Sequence, residues 1–532
     1  MNRRQFLQLS TTSALLAGCD NSWLPALPPW LNVSLHKPAM REGHYLRQLK
    51  SLPLSSGEKK VDTVIIGSGI AGLSAAWRLQ QQGYKNFVLL MGAEPFGNAN
   101  AGQWQDVPYP RGGHYLPLPT LESAHIREML SAWGIIEHDA FGLQPRYDER
   151  ALVNALDERV LIKQQWHEGL IAQLTPSSQA QHQTFFALTQ QLKQQRGTDG
   201  KPLFAIPRVL SSQDSQWRAL DTLSFATWLS QQGFNDAALR WYLDYACKDD
   251  YGLDSRKISA WAGLHYFASR QGLAANAEAD SVLTWPEGLA HLAHKMLPPA
   301  AQRLQGFALN IKQQAQGIEV LYTPTLGAKA FTLKAKKVIC ATPLHVTKYL
   351  VPHLHDYGFD SKQHLPTHAP WLVSNVFLEQ FPRELAGAAL AWDNVRYGSQ
   401  SLGYVVATHQ WIRAAKPQYT VFSAYHAFNP DNEKAGRSYL QQATGTQLLE
   451  LAMSDLQQAY GQQLWRCVRG IELTLRAHAM AAPTVGFLQN QGLNALQAVD
   501  GQLLFAHSDL SGLSLFEEAA WWGWQAAAKL LT

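Results

Sequence analysis

The chain has 532 residues, 46% of them hydrophobic and 16% charged, with a formal net charge of +4. This composition excludes a disordered chain, and the length allows two or more domains around a sizeable core. The small net charge, without a long basic run, argues against nucleic acid as a partner. Four cysteines, Cys19, Cys247, Cys340 and Cys467, show no disulfide framework and no metal-ligand spacing. Cys247 and Cys340 lie in apolar surroundings and are expected as buried thiols. Aromatic residues cluster at 241–245, 261–267 and 521–524 and are expected in the core, with some left to line an apolar cavity.

Residues 1–19 read MNRRQFLQLSTTSALLAGC. Arg3 and Arg4 followed by Phe6 and Leu7 resemble a twin-arginine export signal. Leu16-Ala17-Gly18-Cys19 resembles a lipobox, in which Cys19 is lipidated. The apolar stretch between them is too short to span a bilayer. The expectation is a periplasmic protein, exported already folded with any non-covalent dinucleotide in place and tethered to a membrane through Cys19. Residues 20–57 are rich in Pro and Leu and read as a linker with partial order.

The next stretch, VDTVIIGSGIAGLSAAW at 61–77, organises the rest. Val64, Ile65 and Ile66 are a β-branched apolar run of the kind found in buried parallel strands. Gly67, Gly69 and Gly72 follow in G-x-G-x-x-G spacing. Leu73, Ala75, Ala76 and Leu79 then repeat at helical period, and 87–91 reads as a second strand. A β-α-β unit with this loop is a dinucleotide site: Gly67 for the turn, Gly69 for close approach of the pyrophosphate, Gly72 for helix packing. Ile70 and Ala71 stand at the helix start, where free N–H groups face the phosphates. The acid expected on the ribose at the end of the second strand is replaced by Met91. Glu94, three residues on, either reaches round to that place or is a loop charge.

Further along, Tyr109-Pro110-Arg111-Gly112-Gly113-His114-Tyr115 suggests another close approach of backbone to ligand. Residues 121–275 are mainly helical, with patterns at 122–133, 178–195, 227–233 and 237–247. Asp244, Asp249 and Asp250 either hold a cationic substrate and shift a pKa or pair on the surface with Arg240, Lys248 and Arg256. His265 and Tyr266 read as core. Strands are expected at 308–312, 318–322, 331–333 and 337–343. An antiparallel set follows at 373–378, 403–408 and 420–426, then a helix at 450–460. The chain closes with a strand at 503–506, the turn His507-Ser508-Asp509, and a helix from about Ser514. Asp509 there could bond a polyol, or Asp509 or Ser511 could cap the helix.

Four stretches in this order resemble the flavin-containing amine oxidase superfamily, with its phytoene desaturases and protoporphyrinogen oxidases: GSGIAG at 67–72, WPEGLAHL at 285–292, VICATPLHV at 338–346, and LLFAHSDLSGLSLFEEAAWWGWQAA at 503–527. The resemblance implies an α/β fold: a Rossmann-type FAD-binding domain built from discontinuous segments, and a substrate domain of antiparallel sheet and helices. Residues 58–120, 276–345 and 495–532 would form the first, and 121–275 and 346–494 the second. It further implies FAD, held non-covalently. The pyrophosphate would lie on Gly67, Gly69 and Gly72, and Arg111, Gly112, Gly113 and His114 would pass near the flavin ring. Ser508 or Asp509 would lie near the ribityl chain, and Glu517, Glu518 and Ala519 under the pyrimidine end. Four features depart from the family: Met91 replaces the acid at the end of the second strand, Gly97-Asn98 stands where a double glycine is expected, and two more lie further on. The stretch Trp371 to Val376 has no lysine where amine oxidases carry one beside flavin N5, and Leu515 or Phe516 stands where they carry a cage aromatic.

The function implied is an FAD-dependent oxidoreductase that removes a hydride equivalent from a C–N or C–C bond. A membrane quinone or redox partner is the expected acceptor. His114, Tyr115, Asp249 and Asp250 are the candidate acids and bases, and no metal is expected. The alternative is a flavin-binding scaffold in a periplasmic assembly, without turnover.

Overall fold

A computed structural model describes residues 31–172, 175–428 and 433–531. Arg3, Arg4 and Cys19, and with them the export and lipidation motifs, lie outside the described residues. The linker expected at 20–57 is not one from Leu31 onward. Leu31, Val33 and Leu35 alternate with polar residues, the period of a half-buried strand, and β1 (Asn32–His36) pairs in parallel with a strand at 468–481. Leu31 and Val33 are only 4% and 2% exposed. A short helix, α1 (Met40–Gln48), leads into β2 (Ser55–Ile66).

β2, helix α2 (Ile70–Gln81) and strand β3 (Phe87–Leu90) form the expected β-α-β unit. Val64, Ile65 and Ile66 are buried on both faces of the sheet, each contributing about 1.5–3 kcal/mol relative to an exposed side chain. The helical region supplies α3 (Ala237–Tyr251), capped by Asp236 on the amides of Ala238 and Leu239. The two strands expected at 331–333 and 337–343 are one, β4 (Ala330–Cys340), which lies parallel to β2. Its charged residues Lys334, Lys336 and Lys337 interrupt the apolar pattern without interrupting the backbone ladder. After β4 come α4 (Leu344–Leu350), β5 (His368–Leu378), β6 (Thr420–Ala427), β7 (Val468–Ala481), β8 (Leu503–Phe505) and α5 (Phe516–Leu531).

Among the described residues there are two large sheets. In one, β3, β2, β4 and β8 run parallel and place their C-terminal ends together. The other has eight strands, with β1, β7, β5 and β6 adjacent in that order. It is mostly antiparallel, with parallel pairings at β1–β7 and between 158–162 and 393–396. α5 packs along α2, where Trp77 and Trp524 meet at 5.8 Å and Arg78 lies over the Trp524 ring. That accounts for the tryptophans at 521–524 as core. Cys247, Cys340 and Cys467 are buried free thiols. No helix among the described residues is long and apolar enough to cross a membrane.

Candidate functional site

The glycine loop joins β2 to α2 at the C-terminal edge of the parallel strands. Gly67 has φ +101°, and an added Cβ there would meet the Ala341 carbonyl at 2.8 Å. A Cβ on Gly72 would lie 1.9 Å from the Gly67 carbonyl oxygen, so the turn and helix close only with glycine at both. Gly69 is different: a Cβ there would meet nothing within 4 Å. Its backbone faces open space at the start of α2, which no side chain caps. Those are the features a pyrophosphate requires: a backbone it can approach and helix N–H groups left for it. By this test the loop fits a dinucleotide.

The ribose end is built otherwise. Met91 is 4% exposed and closes the core below the loop. The Glu94 carboxylate is bound by Arg476, with Nη2–Oε1 at 2.9 Å and Nη1–Oε2 at 3.2 Å. Arg476 also donates to Asn98 Oδ1 and to the Gly97 and Arg111 carbonyls. Glu94 is therefore a partner in an ion pair linking the loop to β7. Arg111 is held in the same way, its guanidinium bidentate on Glu472 at 2.6 and 2.7 Å. The two glycines that follow pack against protein: the Gly113 amide donates to the Asn98 carbonyl, and a Cβ on Gly112 would lie 2.1 Å from that oxygen.

From Gly113 the chain enters a cavity of about 990 Å³. His114 forms part of its wall, stacked on Tyr425 at 4.6 Å. Burial pushes the His114 imidazole down to about 3, so the ring is neutral. Tyr115 donates to Asp249 Oδ2 at 3.1 Å, and Tyr245 donates to Asp393 at 3.1 Å. Burial, and then the neighbouring Asp250, raise Asp249 to about 7. Glu158 is an exposed side chain that lines the cavity, with enough protein around it to desolvate its carboxylate. Burial, with Asp157, Asp249 and Asp280, raises it to about 7 as well. Asp393 is raised well above the usual carboxylate range by burial, Glu158 and Asp249. The remaining wall carries the aromatic side chains of Phe186, Tyr242, Tyr266, Phe267 and Trp392 among aliphatic and polar residues, with Lys163, Lys193 and Arg270 as its cations.

These positions correct several expectations. The surface pairing of Asp244, Asp249 and Asp250 with Arg240, Lys248 and Arg256 does not occur. Arg240 donates to backbone carbonyls, Lys248 to Gln400, and Arg256 pairs with Asp254. The end of α3 instead turns its acids inward: Asp249 onto the cavity, and Asp250 onto Arg270, which itself lines the cavity, at 2.5 Å. Asp244 accepts from Ser255. His265 is core, as expected, but Tyr266 faces the cavity. Glu158, Trp392 and Asp393 carried no sequence signal, because they come from separate segments that only the second sheet and α3 bring together, whereas Tyr245 belongs to the aromatic cluster at 241–245 expected in part to line a cavity.

At the C-terminal turn, Ser508 and Asp509 are buried. Asp509 caps neither its own turn nor α5. It accepts from the Leu344 amide, the first residue of α4, at 2.8 Å, and its other oxygen faces His368 and His507. Glu517 and Glu518 are buried at the start of α5. Burial raises Glu517 to about 7. Glu518 accepts from the Arg208 amide and from Ser511, tying the helix start to the loop before it. The Ala519 amide closes the first turn of α5 on Leu515.

The parallel strands and the glycine loop form a Rossmann-like domain. The family described as NAD(P)-binding Rossmann-like domain matches residues 65–133, the segment that carries the glycines. Comparison with curated proteins finds no match. Among solved structures, the chain is similar to putrescine oxidase bound to putrescine, with TM-score 0.64 and 17% identity, over 89% of this chain and 99% of that one. It is also similar to cyclohexylamine oxidase from Brevibacterium oxydans IH-35A, with TM-score 0.60 and 16% identity, over 88% of this chain and 98% of that one. A third is the CLA-producing fatty acid isomerase from P. acnes, with TM-score 0.59 and 14% identity, over 89% and 99%. At these identities the likeness is one of fold, over nearly the whole of each relative.

Proposed function

We propose that the chain is an FAD-dependent oxidoreductase of the amine oxidase-like kind and that its cavity receives an organic ammonium ion. The observation that carries this reading is the cavity wall. Burial raises the pKa of Asp249, Glu158 and Asp393; the charge of Asp250 adds to this at Asp249, that of Asp249 at Glu158, and those of both Glu158 and Asp249 at Asp393. Arg270, the cation that acts on Asp249, is already paired with Asp250. An ammonium ion would relieve that repulsion, and the aromatic faces would add cation–π attraction. Two proteins of this fold are named for amine oxidation, and one of them holds putrescine.

Bound FAD would supply the two-electron chemistry, accepting a hydride equivalent from the C–H of the carbon that bears the amine, so that the C–N bond becomes an imine. The chain's own residues hold and orient. The backbone at Gly69, Ile70 and Ala71 would hold the pyrophosphate, and the segment from Arg111 to His114 would pass the ring. Asp249, oriented by Tyr115 and raised to about 7, would take the ammonium proton at its carboxylate, because only the neutral amine can release hydride. Neutral His114 would add no repelling charge. Trp371 to Val376 carries no lysine, which favours an acceptor other than oxygen. A quinone or redox partner would be brought near by export and a lipid at Cys19.

Anaerobic mixing of the FAD-loaded protein with putrescine or cyclohexylamine tests this. Bleaching of the flavin band, reversed by a quinone analogue, is the expected result. A bound flavin that no amine reduces and no acceptor cycles would move the reading to the flavin-binding scaffold, which the buried Met91 and the paired Glu94 favour.

A further inference from the structure

Three histidines from distant parts of the chain meet away from the acidic cavity. His345 is the second residue of α4, His368 opens β5, and His478 lies near the end of β7. Each offers one ligand atom within 4.8 Å of those of the other two. The rings of His345 and His478 have centroids 4.3 Å apart, and those of His345 and His368 5.0 Å apart.

Two further observations point to a cation. Nδ1 of His345 is buried with no hydrogen-bond partner, a state that polar atoms inside proteins rarely hold. Both nitrogens of His368 face oxygens: the Pro366 carbonyl lies 3.0 Å from Nδ1, and Asp509 Oδ1 lies 3.1 Å from Nε2. A neutral imidazole donates from one nitrogen only and offers a lone pair at the other. In His368 both nitrogens have an oxygen partner, so a metal there would displace the Pro366 or the Asp509 contact and leave the other to orient the ring, as in metal-ligating histidines.

We propose that His345, His368 and His478 form a binding site for a late first-row divalent metal ion such as Zn²⁺. Imidazole donors suit Zn, Cu, Ni and Fe(II) and do not suit Mg or Ca. In a tetrahedral zinc site the nitrogens stand about 3.3 Å apart, as Zn–N bonds of about 2.0–2.1 Å require, so side-chain rotation would have to bring the three ligand atoms closer than the 4.8 Å within which they lie. The metal would join α4, which follows the parallel sheet, to two strands of the other sheet. Asp509, fixed by the Leu344 amide, supplies the neighbouring negative charge. The site does not depend on the flavin reading.

Zn²⁺ added to the full chain, free of any histidine tag, is measured by equilibrium dialysis with metal analysis. One tightly held Zn²⁺ per chain is expected. His345→Ala and His478→Ala should each weaken binding by about tenfold or more. His355→Ala should not, although His353, His355 and Asp356 form an exposed group of similar spacing. A wild-type chain that binds no Zn²⁺ overturns the proposal. So does binding unchanged by both substitutions, or binding lost with His355→Ala. If a variant does not unfold cooperatively, Cu²⁺ electron paramagnetic resonance of the wild type decides. Hyperfine coupling to three imidazole nitrogens supports the site, and coupling to fewer overturns it.

Discussion

Gly69 and Gly72 stand three residues apart under opposite demands. An added Cβ at Gly69 meets open space, whereas at Gly72 it would lie 1.9 Å from a carbonyl oxygen. Gly69→Val should therefore leave the melting temperature close to wild type and abolish FAD uptake. Gly72→Ala should cost about 1–3 kcal/mol of stability through overpacking. Full flavin content in Gly69→Val would remove the phosphate loop from the account. Asp249 gives a second test at this scale. Its folded pKa, about 7, lies above the ordinary 3.8. Between about pH 4 and pH 7 the folded chain keeps a proton that the unfolded chain has released. Stability from this group is therefore fully present below about pH 4 and is lost as pH rises to about 7, with a slope of at most about 1.4 kcal/mol per pH unit. Thermal melts of Asp249→Asn at pH 5 and pH 7 should show a flatter dependence than wild type. Putrescine at pH 8, above the values of about 7 for Asp249 and Glu158, should raise the wild-type melting temperature more than the variant's. Equal slopes and equal shifts would mean that Asp249 neither titrates near 7 nor meets the amine.

At the scale of elements, β7 does most to join the two sheets' regions. Glu472, Thr474 and Arg476 alternate along one face of the strand. Glu472 takes Arg111, and Arg476 takes Glu94 and the carbonyls of the loop beside Gly69. Arg476 is 6% exposed and Glu94 13%, so Arg476→Ala leaves a nearly buried carboxylate without its partner. The expected cost is about 3–5 kcal/mol, read by urea unfolding, with part of it recovered on adding Glu94→Gln. A loss below about 1 kcal/mol would show the pair to be solvated. The alternation of β7 was there to be read, but its partners at Glu94 and Arg111 lie more than three hundred residues away, so no local pattern linked them. The β-α-β unit was legible for the opposite reason. Its strands, glycines and helix are contiguous, and their periods are set by local geometry.

At the scale of the whole molecule, the order of motifs announced an α/β fold with a Rossmann-type lobe and a second, mainly antiparallel sheet. The sheets at the described residues have that form. The cavity was only half visible. Asp249 and Tyr115 drew notice through their neighbours in sequence, while Glu158 and Asp393 are assembled by tertiary structure and gave no sign. β1 escaped because prolines flank a strand of five residues that has meaning only beside β7. The account rests on a flavin in the glycine loop. The measurement that tests it most directly is the absorption spectrum of the purified protein, with acid release and chromatography of any chromophore. Release of close to one FAD per chain is the predicted result. A colourless protein that also fails to take up added FAD would contradict it, and would make the buried Met91 the mark of a lost site.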